Sequence, residues 1–322
     1  MSLANASGDG LVRYIYVCGL LAAAVTAQAG EYRPPRLTDG QVDLQGVWSH
    51  RNITPLERPA ELKSFLISRE EAAQLQARIL AKTNDQSKPG EPAEYFWDRG
   101  VEPIRGEYRS SIITAPADGK IPGNEHFKTL AKATGAAVLT AFDGPEARPG
   151  AERCLMATSA APPVTVVPAD DLRQIVQTQS SIVIASEELH EARVVRMNTQ
   201  HGPAAITSWL GDAIGWWEGE TLVIETKYFA PTSSARAGPG MLFFVGPDTI
   251  VTERITRVAA DELSYEFTVE DPSYYTRPWK GETRFGRSDE QMLEYACHEG
   301  NYSLPFALES ARALEPVTVA KD

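Results

Sequence analysis

Five histidines are the natural starting points for chemistry near neutral pH, because an unperturbed imidazole changes charge there. They are His50, His126, His190, His201 and His298. His190 is flanked by Glu188, Glu191 and Arg193, and His298 is followed by Glu299. A histidine oriented by a carboxylate can act as a general base. His190 and His298 are therefore the candidate base and acid, with Glu299 orienting His298 and Arg193 holding an oxyanion. A structural histidine bonded across strands is the ordinary alternative at each position. No HExxH or CxxC occurs, so a metal site would need His190, His201 and His298 to converge from separate strands. There is no GxSxG elbow for a serine nucleophile. Asp212 and Glu218 flank Gly215-Trp216-Trp217. Facing carboxyls beside aromatics can hydrolyse glycosides, whereas a turn cap and a solvated hairpin residue need no chemistry.

The aromatic residues point to a ligand. Most of those beyond residue 29 fall between Trp209 and Tyr302. Strand alternation along 263–269 puts Tyr265 and Phe267 on one face. Trp209, Trp217 and Tyr265, with Asp212, are the candidate lining of an apolar pocket. An ordinary filled barrel core is the competing reading.

The elements that would position these residues are mostly strands. From about residue 164 to 296, runs of β-branched and aromatic residues alternate with short turns. Strands are expected at 164–167, 172–178, 182–186, 192–197, 216–217, 221–228, 242–245, 249–257, 263–269, 284–286 and 292–296. Short connections argue for an antiparallel meander, and a long meander loses its edges by closing into a barrel. Earlier, 43–48 reads as a strand with Gly46-Val-Trp48 at its centre, and 108–114 as a short strand ended by the turn Pro116-Ala-Asp-Gly119. Ser68 opens a capped helix over 68–83, with Glu70 and Glu71 in its first turn. A second helix is expected over 124–135, stopped by Gly135, and a loop over 86–92. The fold class is mainly β: a meander closing into a barrel, with one or two peripheral helices from a helical insertion around 60–140. A β-sandwich is the alternative.

Length and charge set the remaining bounds. The chain has 322 residues, 43% of them hydrophobic and 23% charged, which suits one folded domain. Its net charge of −12 disfavours nucleic acid and anionic membranes as partners. Neither GxxxxGK[ST] nor GxGxxG is present, so no nucleotide cofactor is expected. Residues 1–29 read as a signal peptide, with Arg13, an apolar run over 14–25 and Ala27-Gln28-Ala29 before the cut. The run is too short to span a bilayer, and no segment of the mature chain, 30–322, is expected to insert in one. A periplasmic or secreted location follows, with Cys154 and Cys297 as its only cysteines. In an exported protein they are expected to pair, closing a loop of about 140 residues worth about 3–5 kcal/mol.

Two resemblances add to this. Gly46-Val-Trp48 on a first strand resembles the lipocalin signature, in which the tryptophan plugs the closed end of a barrel. Longer strings also resemble a large family of secreted bacterial proteins without an assigned function. They include Tyr95-Phe-Trp-Asp-Arg-Gly100, Pro116-Ala-Asp-Gly-Lys-Ile-Pro122, Glu152-Arg-Cys-Leu155, Glu188-Leu-His-Glu-Ala-Arg193 and Ala296-Cys-His-Glu-Gly-Asn-Tyr302. The likeness spans roughly 36–312 and implies export and a β-rich fold, but no catalytic residues. Residues 201–209 lack the basic residue expected before the tryptophan, and Trp216 stands at a usually small or basic position. Both departures make the region more apolar and imply an altered ligand.

The expectation from sequence is an exported enzyme performing cofactor-free acid–base chemistry, of lyase, isomerase or cyclase type, on a hydrophobic ring-bearing molecule in a barrel pocket. A non-catalytic lipocalin-like carrier with the same pocket and a metal-dependent hydrolase are the alternatives.

Overall fold

A computed structural model describes residues 32–83, 99–148, 150, 152–156, 161–165, 172–230, 235–238 and 241–314. The expected signal peptide, the loop at 86–92, half of the strand at 164–167 and the side chain of His190 lie outside the described residues. The described residues from Pro34 onward form one compact unit.

Its elements in chain order are β1 (Gly46–Ser49), β2 (Leu66–Ile67), α1 (Arg69–Thr83), β3 (Tyr108–Arg109), β4 (Ile113–Ala115), α2 (Glu125–Thr140), β5 (Leu172–Gln177), β6 (Ser181–Ser186), β7 (Ala192–Met197), β8 (Asp212–Glu218), β9 (Thr221–Lys227), β10 (Ala235–Gly238), β11 (Met241–Phe244), β12 (Ile250–Ala259), β13 (Glu262–Glu270), β14 (Trp279–Ser288) and α3 (Ser303–Ala313).

Nine strands close into a barrel in the order β1-β5-β6-β7-β8-β9-β12-β13-β14, and β14 returns to β1. Closure pairs Trp48 with Arg173 on one side and Arg287 on the other. The fold is thus the lipocalin-like barrel with peripheral helices. The meander is interrupted once: β7 and β8 run parallel, because the connection 198–211 carries the chain back to the end where β7 began, as a parallel pair requires. Gly211 ends that connection at φ +74, where a Cβ would lie 2.6 Å from Thr226 Cγ2 and 2.8 Å from the Lys227 carbonyl.

Alternation fills the interior. Leu263, Tyr265, Phe267 and Val269 all point inward from β13 and are at most 2% exposed. At one end Trp48 is wholly buried, its indole N–H donates to the Leu44 carbonyl at 2.8 Å, and the Arg257 and Arg287 guanidinium groups lie 5.5 and 5.4 Å from its ring. At the other end, β11 lays Phe243 edge-on against Trp279, which itself meets Phe267 edge-on.

Several sequence expectations shift. The 108–114 strand divides, β3 pairing with β2 and β4 with the start of β14. The helix expected to stop at Gly135 continues to Thr140, since one glycine costs only about 1 kcal/mol and the following Ala-Ala-Val-Leu run favours helix. Residues 292–296 form no strand, and Leu293 is 67% exposed. The nine-strand barrel is closed and itself offers them no edge. They lead instead to α3, which the sequence reading missed. The helix α1 is capped as expected: Ser68 Oγ accepts the Glu71 N–H at 3.1 Å and Glu71 Oε2 accepts the Ser68 N–H at 2.8 Å. Cys154 and Cys297 form the expected disulfide, with Cα atoms 5.9 Å apart. Among the described residues, no helix is long and apolar enough to cross a membrane.

Two glycines of β14 should separate packing from backbone effects. A Cβ at Gly281 would lie 2.3 Å from the Phe267 ring, whereas one at Gly286 meets only Arg284 Nη2 at 3.5 Å. In urea unfolding, Gly281→Ala is expected to lose about 1–3 kcal/mol, and Gly286→Ala to stay within about 0.5 kcal/mol of the parent.

Candidate functional site

The inward positions of β7 and β12 carry charge as well as apolar groups. On β7, Arg193, Val195 and Met197 point inward, and on β12 Val251, Glu253 and Ile255 do. Arg193 and Glu253 are 4% and 0% exposed and form a two-point ion pair across the interior. Arg193 Nη2 donates to Glu253 Oε1 at 2.9 Å, and Nη1 donates to Oε2. The Tyr265 hydroxyl donates to the same Oε1 at 2.8 Å and accepts the Val164 N–H at 2.8 Å. Burial works against the Arg193 cation, but the Glu253 charge outweighs it and raises the guanidinium pKa. Burial, reinforced by Glu253, pushes the Tyr265 hydroxyl well above its ordinary range. Tyr265 is therefore a neutral hydrogen-bond relay rather than an acid.

Around this network lies an interior cavity bounded by Trp48, Val164, Arg173, Ile175, Ile184, Arg193, Ile255, Tyr265 and Phe285. Its free volume is about 10 Å³, about the room of one water molecule. Val164, 2% exposed, fills the space beside Tyr265.

His50 continues the inward face of β1 and is the residue the sequence reading passed over. It is 1% exposed, its Nε2 lies 2.9 Å from Thr283 Oγ1 and its ring lies 4.9 Å from Phe285. Its Nδ1 is buried and has no partner among the described residues. Burial first, then the charges of Arg173 and Arg99, hold its pKa well below 6.5. The only sequence signal was its parity with Trp48, two residues earlier, which aims both into the barrel.

The other expected site residues are dispersed. His298 and Glu299 occupy an exposed turn after the disulfide. They are not brought to the interior that holds Arg193 and Tyr265. His190 ends a short 3-10 turn, Glu188–His190. Arg193, expected to hold an oxyanion, is instead committed to Glu253. Trp209 lies half-exposed on the 198–211 connection, and Trp217 packs half-buried at the β8–β9 end; neither borders the cavity. His201 Nδ1 lies 2.9 Å from Asp212 Oδ2 and its Nε2 3.0 Å from Glu225 Oε1. Asp212 also accepts from Arg196 at 2.7 Å and from the Gly202 N–H at 2.9 Å. Burial raises both carboxyl pKa values. At Asp212 the bonds from Gly202, His201 and Arg196 outweigh it, and at Glu225 those from Lys227 and His201 do, so both end below their ordinary range. This cluster locks the parallel connection onto the sheet, and Asp212 is spent there rather than on a ligand. Among the described residues, no three His, Cys, Asp or Glu side chains group as metal ligands.

Two outcomes follow. Glu253→Gln leaves the Arg193 charge buried with a neutral partner and should cost about 3–5 kcal/mol in urea unfolding, while Arg193→Met/Glu253→Leu together should recover most of that loss. For His50 the sign is that of a depressed base: unfolding lets it take up a proton, so the folded state loses stability as pH falls below about 6.5, by up to about 1.4 kcal/mol per unit. His50→Asn should flatten that part of the stability–pH curve between pH 6.5 and 5, and an unchanged slope would refute the assignment. No protein-family model and no curated protein matches this chain.

Proposed function

We propose that the protein is a lipocalin-like binding protein for an apolar small molecule bearing one acidic head group, acting in the periplasm or outside the cell. The observation that carries this reading is the cavity itself. Its walls are aliphatic and aromatic, and its polar groups, Arg173, Arg193 and Tyr265, offer donors. Arg173, whose guanidinium lies 5.7 Å from the Phe285 ring on the same wall, supplies the positive charge that an incoming carboxylate or sulfonate would approach. The ligand takes the place of Val164 when the 161–165 segment leaves the Tyr265 hydroxyl. The exported acid–base enzyme remains the second reading. Its base would be His50, a neutral imidazole beside the same cavity, rather than His190 or His298.

The test is fluorescence titration of the full chain with anilinonaphthalene sulfonate and with uncharged N-phenyl-naphthylamine. The anionic probe should bind saturably at one site and more tightly than its neutral analogue by about tenfold. Arg173→Met should remove that preference, and Val164→Trp should weaken both probes. Absence of saturable binding, or equal binding by all variants, overturns the reading. Turnover abolished by His50→Asn with probe binding retained would favour the enzyme.

A further inference from the structure

Residues 161–165 close the barrel cavity, and the chain just before them is tied down by one covalent bond. Ala161 and Val164 are 0% and 2% exposed, and the Val164 N–H donates to the Tyr265 hydroxyl at 2.8 Å. Ten residues before Val164, Cys154 is bridged to Cys297. The far side of that bridge is anchored on the barrel. The segment leaving β14 is held to β1 by the Arg51–Glu290 ion pair. Further on, the Leu293 N–H donates to Glu187 Oε1 at 2.6 Å. Glu187 lies between β6 and β7, and its own N–H donates to the Leu172 carbonyl at 3.2 Å, where β5, the next strand after 161–165, begins.

The near side has few other ties. Among the described residues, the hydrogen bonds and ion pairs of 152–156 run only to Gly150, to Arg148 and to Asn301, whose amide meets Cys154 Sγ at 3.6 Å. Asn301 belongs to the same C-terminal segment as Cys297, so it acts from the same side as the bridge. Met156, 4% exposed, adds apolar packing. Cys154 itself is held at φ +52, a left-handed conformation that is unfavourable for a residue with a Cβ and persists where its surroundings fix it.

We infer that the Cys154–Cys297 disulfide is a strap on residues 161–165, and that its reduction by a dithiol opens the barrel cavity more often. The inference rests on the binding reading above, in which those residues must leave for a ligand to enter. In the reduction, one thiolate of the dithiol attacks a sulfur of the bridge and the other cysteine leaves as thiolate. The second thiol of the reductant then displaces the remaining cysteine. Two electrons and two protons pass to the protein, and the reductant closes as its own disulfide. Both cysteines are half-buried rather than sealed, which gives the thiolate access. With the strap, the chain runs 18 residues from Cys154 to Leu172. Without it, the next upstream side chain packed on the barrel core is Phe127, 45 residues from Leu172. Closure probability falls with loop length to the power of about −3/2, which makes the open state about fourfold more populated.

Hydrogen exchange of the full chain, oxidised and after treatment with dithiothreitol, tests this without any ligand. Pro162 and Pro163 have no amide hydrogen, so a peptide over 161–165 reports on Ala161, Val164 and Thr165. Their exchange should quicken about fourfold on reduction, and equally in Cys154→Ser/Cys297→Ser, while the amides of β12 and β13 keep their rates. Reduction of the folded chain serves where that variant does not fold. Anilinonaphthalene sulfonate should then bind the reduced chain more tightly by the same factor, because apparent affinity scales with the open fraction. Unchanged exchange at 161–165 overturns the strap, whatever the probe does. Exchange that rises alike in β12 and β13 overturns it too, since the bridge would then hold the whole barrel. If 161–165 loosens and the probe still finds no site, the strap stands and the binding reading falls.

Discussion

A carboxylate sealed inside a barrel must be neutralised where it sits, because transfer from water costs several kcal/mol per ion after relaxation. Glu253 is such a group, and its two oxygens are taken up by Arg193 and Tyr265. In the barrel order β7 and β12 are separated by β8 and β9, so the ion pair spans the interior rather than joining neighbours in the sheet. A slip of β7 by one residue would turn Arg193 outward and strand Glu253, and a slip of β12 would do the reverse. The pair therefore selects register on two walls at once, which apolar packing alone does less sharply.

The rest of the architecture can be seen as protection for that interior. Barrel closure by β1 with both β5 and β14 removes the sheet edges. Trp48 fills one end beneath two guanidinium groups, and the edge-on Phe243–Trp279–Phe267 cluster fills the region toward the other. The parallel pairing of β7 with β8 needs a long return connection, and the His201 clamp between Asp212 and Glu225 fastens it. Each ring nitrogen of His201 meets one of the two carboxylates, so one residue ties the loop to two strands.

Much of the barrel was legible because strand alternation is a local signal. The 263–269 pattern placed Tyr265 and Phe267 on the inner face, and Gly46-Val-Trp48 located the buried tryptophan. What was not legible depended on partners distant in sequence. Arg193 stood out for its neighbours in the chain, but its role is set by Glu253, 60 residues later, on a strand with nothing to distinguish its glutamate from the solvated ones. His298 and Glu299 looked like a dyad because they adjoin in sequence, yet adjacency in a turn leaves both in water. His50 carried no motif, and its environment comes from Arg173 and Arg99, residues that only closure brings near. The parallel pair was invisible because a return connection and a hairpin loop share the same polar composition.

The proposed exchange of Val164 for a ligand is compatible with the buried charge because of how the hydrogen bonds are ordered. Val164 donates to the Tyr265 oxygen, while Tyr265 donates its own proton to Glu253. Removing Val164 frees an acceptor on Tyr265 but leaves both donors to Glu253 in place. The loss is that of one neutral hydrogen bond, about 1 kcal/mol, rather than of a charge partner. A ligand oxygen could not replace Val164 at Tyr265, since it brings no proton, whereas Arg173 on the same cavity wall carries a positive charge. In the proposed complex the head group would lie toward Arg173, and the Arg193–Glu253–Tyr265 network would stand as a wall of the site rather than as a participant in it.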